Sequence, residues 1–442
     1  MLTALFSRLF RRTAAPAAAT PATVSATAAD ARDTSARPAT PPPQWSLRRE
    51  AVLGSNERVA GYRFTVDHGG SGSGEKAEAL IQLLLESRLA DTLGYRLAFI
   101  DLPSPLLASP RLQELPAKRC VLVVTPAASD GAAPADTLAA MHALRAQGFL
   151  LAVGEPLTPA GTALLAAADL AVLDARALHA ADARQLRDHL ARHAPAARIL
   201  ARSVTSLEEA RFCRSALDVA FLEGGFVTQR ENWDDRELGP RVARLATLLG
   251  RLRKDADTEE IVALLKQDAA LSLRLLRYVN SAGSGVLEPV HSIERAFILL
   301  GRSALQRWLL ILLCGLDDNG GRASAALESA LVRARMMELL GAARPRPEQE
   351  TLFLTGLLSL IDVILQVPME KAIGALAVGP EIAQALTRGE GEHALLLEIA
   401  CACEAADPQQ VLRAATRLQL EPASAAAAHA EALNWTFQLQ DA

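Results

Sequence analysis

A change of hydrophobic period near the middle of the chain constrains its fold more than any single residue does. Between residues 59 and 222 short apolar runs alternate with longer amphipathic ones, and beyond residue 238 only the helical period remains. The short runs at 59–66, 96–101, 119–124, 148–153, 170–173, 198–201 and 218–222 read as strands. The stretches at 75–93, 136–147, 159–167, 182–193 and 206–215 read as helices between them. Strands apolar on both faces and separated by helices predict parallel pairing, in a barrel or a doubly wound sheet. This half holds about 180 residues, against ~250 in a typical eight-stranded barrel, so a barrel here is compact or eroded.

The second half predicts stacked antiparallel helices. Asp257 with Glu260 reads as a capping pair ahead of Ile261, Leu264 and Leu265. Asp268 opens a helix carrying Leu271, Leu275 and Val279, and Ser292 opens another that ends at Gly301. Ser303 and Gln306 form a capping box before the apolar run at Trp308. The fold class is therefore α/β followed by all-α.

Ahead of both halves, residues 1–12 place Leu2, Leu5, Phe6, Leu9 and Phe10 at helical spacing beside Arg8, Arg11 and Arg12. They read either as a short peripheral membrane contact or as a frayed terminus. Residues 13–44, rich in Ala, Pro and Thr, predict a disordered linker. The run from Trp308 to Cys314 falls short of the ~18 apolar residues a membrane helix needs. A net charge of −4 and 4% aromatic residues give no basis for expecting nucleic acid. Five cysteines in 442 residues are no disulfide scaffold, which fits the cytoplasm.

Three local patterns invite chemistry and lose it on inspection. The glycine-rich run Gly69–Gly74 has phosphate-loop spacing, but Glu75 stands where a lysine belongs. His189 and His193 lie one helical turn apart without a following glutamate base, and Cys401 and Cys403 lie two apart. None of the eight histidines is followed by aspartate.

Residues 257–313 resemble the HDOD domain. The likeness is carried by Gln267-Asp268 with Leu271, the Val279-Asn280-Ser281-Ala282 run up to Gly285, Ser292-Ile293 with Ala296, and Leu300-Gly301. In that motif Asn280, Ser281, Gly285, Ser292 and Gly301 are structural. The stretch from Gly356 to Ile373 resembles the later part of the same domain in EAL–HDOD proteins, and the likeness runs on through residues 389–391. The first half resembles a degenerate EAL domain, the TIM-like barrel of cyclic-di-GMP phosphodiesterases. Active relatives gather carboxylates at strand ends to hold two cations. Here the name-giving glutamate is Arg63, the asparagine is Asp101, the next glutamate is Val123 and the paired aspartates are Gly154-Glu155. The lysine before Asp174 is Val172, a later glutamate is Arg202 and the closing glutamine is Glu223. The HDOD half has Ser359-Leu360 where related hydrolases carry a His-Asp pair, and Ser329 near an earlier metal histidine.

The resemblance implies a disordered segment over 1–44, an eroded EAL-like domain over 45–235 and an HDOD domain over 236–442. It implies a non-catalytic bacterial signalling protein, without cofactor or metal, that acts through contacts with other signalling proteins. Two alternatives stay open. Asp101, Glu155, Asp174 and Glu223 could form a relict strand-end site with residual cyclic-di-GMP phosphodiesterase activity. Or the chain senses a nucleotide without turnover, its phosphates pairing with Arg63 or Arg202.

Overall fold

The computed structural model describes residues 46–67, 72–87, 93–126, 135–177, 180–234, 236–254, 256–280, 289–314, 320–376 and 378–440. The expected membrane contact at 1–12, the linker at 13–44, residues 69–71 of Gly69–Gly74, and the motif residues Ser281 and Gly285 lie outside them.

Eight strands close into a barrel in chain order: β1 (Ser46–Gly54), β2 (Val59–Asp67), β3 (Leu97–Pro103), β4 (Cys120–Thr125), β5 (Leu150–Val153), β6 (Leu170–Asp174), β7 (Arg198–Arg202) and β8 (Phe221–Glu223). β1 runs antiparallel to both β2 and β8, and every other neighbouring pair is parallel. Strands β2 to β8 fall on the seven apolar runs. β1 was not expected, because Arg48, Arg49 and Glu50 at its centre break any apolar alternation. With β1 in place, the compact half closes with eight strands.

The strand period of two decides what fills the barrel. Val52, Phe99, Val121, Val123, Leu170 and Leu200 point inward and form its lower core. The alternate residues, such as Ala98, Ile100, Leu122 and Leu151, face the surrounding helices. β4, with the sequence CVLVVT, is buried through its first five residues, as a strand covered on both faces must be.

Beyond the barrel the described elements are helical. Asp268 caps the helix Ala269–Val279 by accepting the Leu271 amide at 3.0 Å, whereas Asp257 heads Thr258–Lys266 without a side-chain capping bond. Ser292 accepts the Arg295 amide at 3.2 Å. Gly301, at φ +74°, breaks the helix Ile293–Cys314 where one helix was expected to end and the next to begin. By length and composition that element could cross a membrane. Leu305 and the run Trp308–Cys314 are instead buried in the helical core. The Asn280 side chain both donates to the Val290 carbonyl (2.8 Å) and accepts its amide (2.7 Å), tying the end of the helix Ala269–Val279 to the residues before Ile293.

Two large cores result. One gathers side chains from Trp233 to Ile382. The other joins the outer face of the barrel to later helices through Val332, Met336, Ile399, Leu433 and Phe437. Residues expected to form one helical unit from 236 to 442 thus contribute to both. At the junction Glu328, on the helix Gly320–Leu340, accepts hydrogen bonds from Arg96 Nη2 (2.8 Å) and from the Tyr62 hydroxyl, and Arg96 also donates to that hydroxyl. All three are buried. The ring of Phe437 meets Tyr62 edge-on at 5.4 Å, and the Arg49 guanidinium lies 4.7 Å above Tyr62. A Cβ on Gly321 would fall 1.4 Å from the Glu57 carbonyl oxygen, so only glycine lets this helix meet the β1–β2 turn.

His429, on the helix Pro422–Gln440, is buried in the same junction. Burial pushes it down to about 4, against the opposing pull of Glu404 and with a smaller push from Arg49. A folded-state value below the unfolded one means that the unfolded chain binds more protons between the two. Stability should therefore fall as pH drops from 6.5 towards 4, by at most about 3 kcal/mol from this group. Urea denaturation across that window should show the slope, and His429→Gln should flatten it. An unchanged slope would assign the acid sensitivity to other groups.

Candidate functional site

The carboxyl ends of the strands open on a cleft of about 890 Å³. In a parallel barrel this end presents inward side chains of successive strands on one rim. The register brings Arg63 of β2, Asp101 of β3, Arg202 of β7 and Glu223 of β8 to it, together with Arg48 and Glu50 of β1.

These six side chains interlock. Arg63 donates to Asp101 Oδ2 from Nε (2.9 Å) and Nη2 (2.6 Å), and from Nη1 to Glu223 Oε1 (2.9 Å) and Glu50 Oε2 (3.3 Å). Arg202 donates from Nη2 to Asp101 Oδ1 (2.7 Å) and from Nε to Glu223 Oε2 (3.2 Å). Arg48 reaches Glu50 Oε1 at 2.6 Å. Three guanidiniums thus meet three carboxylates in charge-assisted geometry. Burial pushes the Asp101 carboxyl up, but Arg202 and Arg63 together hold it below the usual carboxylate range. At Glu223, deeper in the barrel, burial wins over the same two arginines and the carboxyl sits above that range.

Of the four strand-end acids singled out in the sequence, the fold joins two. Asp101 and Glu223 share both arginines. Asp174, in the same cleft, pairs instead with Arg176 (2.7 Å), whose hydrogen bond lowers it below its ordinary value. Glu155 is exposed on a residue with φ +52°, in the loop after β5. Glu155 and Asp174 line the same cleft as Glu223 but stay outside the lattice that joins Asp101 and Glu223 to the arginines. Arg48 and Glu50 were missed with their strand. Their pairing across β1–β2, Glu50 opposite Arg63, becomes readable only once β1 is recognised.

Two divalent cations do not fit this rim. Its two central carboxylates are spent on arginines, Asp174 is spent on Arg176, and Val123 and Val172, at two more of the aligned positions, are buried and offer no donor atom. A cation there would also lie in the direct field of Arg63 and Arg202. Among the described residues no three His, Cys, Asp or Glu side chains gather to hold a metal ion.

The helical half has a similar arrangement. Ser359, where a His-Asp pair would begin, is buried, and its carbonyl accepts Arg230 Nη2 at 3.0 Å. Arg230 Nε donates to the buried Asp362 at 2.5 Å, while Arg333 pairs with Glu404 at 2.7 Å and reaches the Ser359 hydroxyl at 3.4 Å. Elsewhere, the rings of His189 and His193 lie 4.5 Å apart, tilted by 39°, with His189 bonded to Thr162. Cys403 is buried and Cys401 half-buried, both with thiols that burial pushes up.

Residues 240–378 match the family profile of the HDOD domain. The C-terminal half carries an HDOD domain. Over 223 residues the chain is 27% identical to the Bacillus subtilis protein YuxH, a match covering 50% of this chain and 54% of that one. The chain thus spans about half the length of that relative. Over 378 residues it is 24% identical to the cyclic di-GMP phosphodiesterase CdgJ of Vibrio cholerae, covering 83% of this chain and 86% of that protein. Its solved neighbours include a standalone EAL protein from Vibrio cholerae O395 bound to c-di-GMP, at 17% identity and TM-score 0.34 over 42% of this chain and 91% of that one. The EAL-like domain protein YdiV follows at 12% identity and TM-score 0.31, over 41% and 90%. An HDOD domain protein from Geobacter sulfurreducens covers 39% of this chain and 74% of its own, at 16% identity and TM-score 0.28.

The rim makes a direct prediction. Arg63→Ala leaves Asp101 and Glu223 competing for Arg202, with Glu223 almost wholly buried. Breaking such a lattice from one side should cost about 3 kcal/mol. Asp174→Ala, which breaks an exposed pair, should stay within ~0.5 kcal/mol of the unaltered protein. Urea denaturation of both variants compares them, and equal stabilities would mean that the rim lattice contributes nothing.

Proposed function

We propose that this chain is a non-catalytic bacterial signalling protein. In this reading a degenerate EAL-like barrel and an HDOD domain act together in the cytoplasm through contacts with other signalling proteins. One observation carries the reading. Arg63 and Arg202 occupy the rim where EAL enzymes need cations, and both are locked onto Asp101 and Glu223. Metal-assisted hydrolysis needs a cation to lower the pKa of an attacking water. Here a cation would have to expel two guanidiniums, each bound to both Asp101 and Glu223. The second half supports the same view, since Arg230 and Arg333 both reach Ser359, which stands at the position of the His-Asp pair. The kinship to CdgJ places the chain beside a cyclic-di-GMP enzyme in sequence.

The experiment is direct. The purified full-length protein is incubated with cyclic di-GMP in excess Mg²⁺ or Mn²⁺, and the linear dinucleotide is followed by chromatography. No product above the buffer control is expected. Steady hydrolysis that disappears in Asp101→Ala would overturn the reading and make the rim an active site.

A further inference from the structure

A second concavity lies far from the barrel rim in the chain, within the HDOD domain. The helices Pro240–Arg253 and Ala269–Val279 form its two banks, and Leu264 comes from Thr258–Lys266 between them. Its floor is Leu245, Leu248, Leu264, Leu271 and Leu312, and its volume is about 340 Å³. On one bank Arg241, Leu245 and Leu248 follow the i, i+4, i+7 spacing of a helix face, so the trough runs along that helix for about 10 Å.

The rim is basic. Arg241 and Arg244 stand on one bank and Arg274 on the other, against Asp268 alone of opposite sign among the lining residues. All three arginines are exposed, and Asp268 is committed to the Leu271 amide as a helix cap. No ion pair within the protein engages Arg241, Arg244 or Arg274 among the described residues. This contrasts with the barrel rim, where Arg48, Arg63 and Arg202 all have carboxylate partners.

We propose that this groove docks an acidic amphipathic helix of a signalling partner. The proposal rests on the protein-contact reading above and gives that contact a place and a chemistry. The argument is one of complementarity. A leucine-floored trough between two helices takes an apolar stripe at i, i+3, i+4 and i+7. Arginines on both banks then pair with carboxylates on both sides of that stripe. A small anion with one head group would call for arginines converging at one end, whereas here they sit on two different helices. Opposite charge along the rim also sets partner choice and speeds encounter, with a strong dependence on salt.

The probe is a fluorescein-labelled synthetic peptide of about 18 residues, long enough to be helical, with leucines at i, i+3, i+4 and i+7 and glutamates elsewhere. A second peptide replaces every glutamate with lysine. Fluorescence anisotropy with the full-length protein should show the acidic peptide binding roughly tenfold or more tightly than the basic one, with the advantage shrinking at high salt. Combined Arg241→Glu, Arg244→Glu and Arg274→Glu leaves the leucine floor intact, and circular dichroism confirms the fold. This variant should reverse the preference. Equal binding of both peptides, binding of neither, or an unchanged preference in the variant would overturn the proposal. Saturable binding of the anionic dye 1-anilinonaphthalene-8-sulfonate, lost in the variant while neither peptide binds, would instead assign the groove to a small amphiphile. The two readings fail separately. Hydrolysis of cyclic di-GMP with the peptide preference intact would remove the non-catalytic reading and leave the groove standing.

Discussion

Glu328 is a carboxylate buried between a barrel and a helical stack, and the joining of the two depends on how it is satisfied. An isolated carboxylate at that depth would be prohibitive. Arg96 and Tyr62, both from the barrel, supply its hydrogen bonds. The net gain of such a buried pair is small, because desolvating both charges offsets most of their attraction. Its effect is on geometry. With the helix Gly320–Leu340 docked in any other register, Glu328 would lie against apolar strands, at a cost of about 3–5 kcal/mol. The glycine contact at Gly321 and the rings of Tyr62 and Phe437 fix the same register sterically.

Arginine bound to buried or half-buried acceptors is the common theme of the two halves. At the barrel rim Arg63 and Arg202 bind Asp101 and Glu223, and in the helical half Arg333, with Arg230 from the segment before it, reaches Ser359 and Asp362. A guanidinium brings one positive charge and up to five donors to a site built for acceptors, and it cannot lose its proton in a protein. It therefore satisfies leftover carboxylates without a cation and without chemistry. Losing the metal from such a rim while keeping bare carboxylates would leave like charges facing one another. The arginines remove that repulsion at the barrel rim.

Much of this was legible in the sequence, and the exceptions have physical causes. Strands β2 to β8 were readable because they are apolar on both faces. β1 was not, because Arg48 and Glu50 turn inward to a polar rim while Arg49 turns outward onto Tyr62. A strand with charge on both sides carries no period-two signal. The helix break at Gly301 was visible from the Ser303–Gln306 pair that follows it, and the structure places φ +74° there. Of the candidate site, Asp101 and Glu223 were identified, but their partners depend on β2 and β7 meeting the same carboxylates across the barrel mouth. Arg63 and Arg202 lie 139 positions apart in the chain, and no local pattern links them. Asp174 and Glu155 were grouped with them by strand-end position alone. They line the same cleft, but Asp174 pairs with Arg176 and Glu155 lies exposed, so neither joins the arginine lattice. The shared core of the barrel and the last helices is equally non-local, since an amphipathic helix does not reveal which surface it covers.

The segment after β8 shows how closely the two halves are tied. Glu223 ends the barrel inside the rim lattice, and three residues later the Phe226 carbonyl accepts Arg322 Nε at 2.9 Å. Arg322 also binds the Gln229 carbonyl, and the next residue, Arg230, is bonded to Asp362 and Ser359. Arg236 then reaches Gln366 at 2.6 Å, and Lys371 binds its carbonyl at 2.9 Å. A connection held at such intervals cannot behave as a flexible tether, whose reach comes from unpaired backbone. Turning the barrel against the HDOD domain would expose the buried Arg322 and Asp362 and strip each of a partner. The eroded rim, the connecting segment and the HDOD core are therefore one mechanical unit, and the groove between the HDOD helices is presented at a fixed orientation to the barrel.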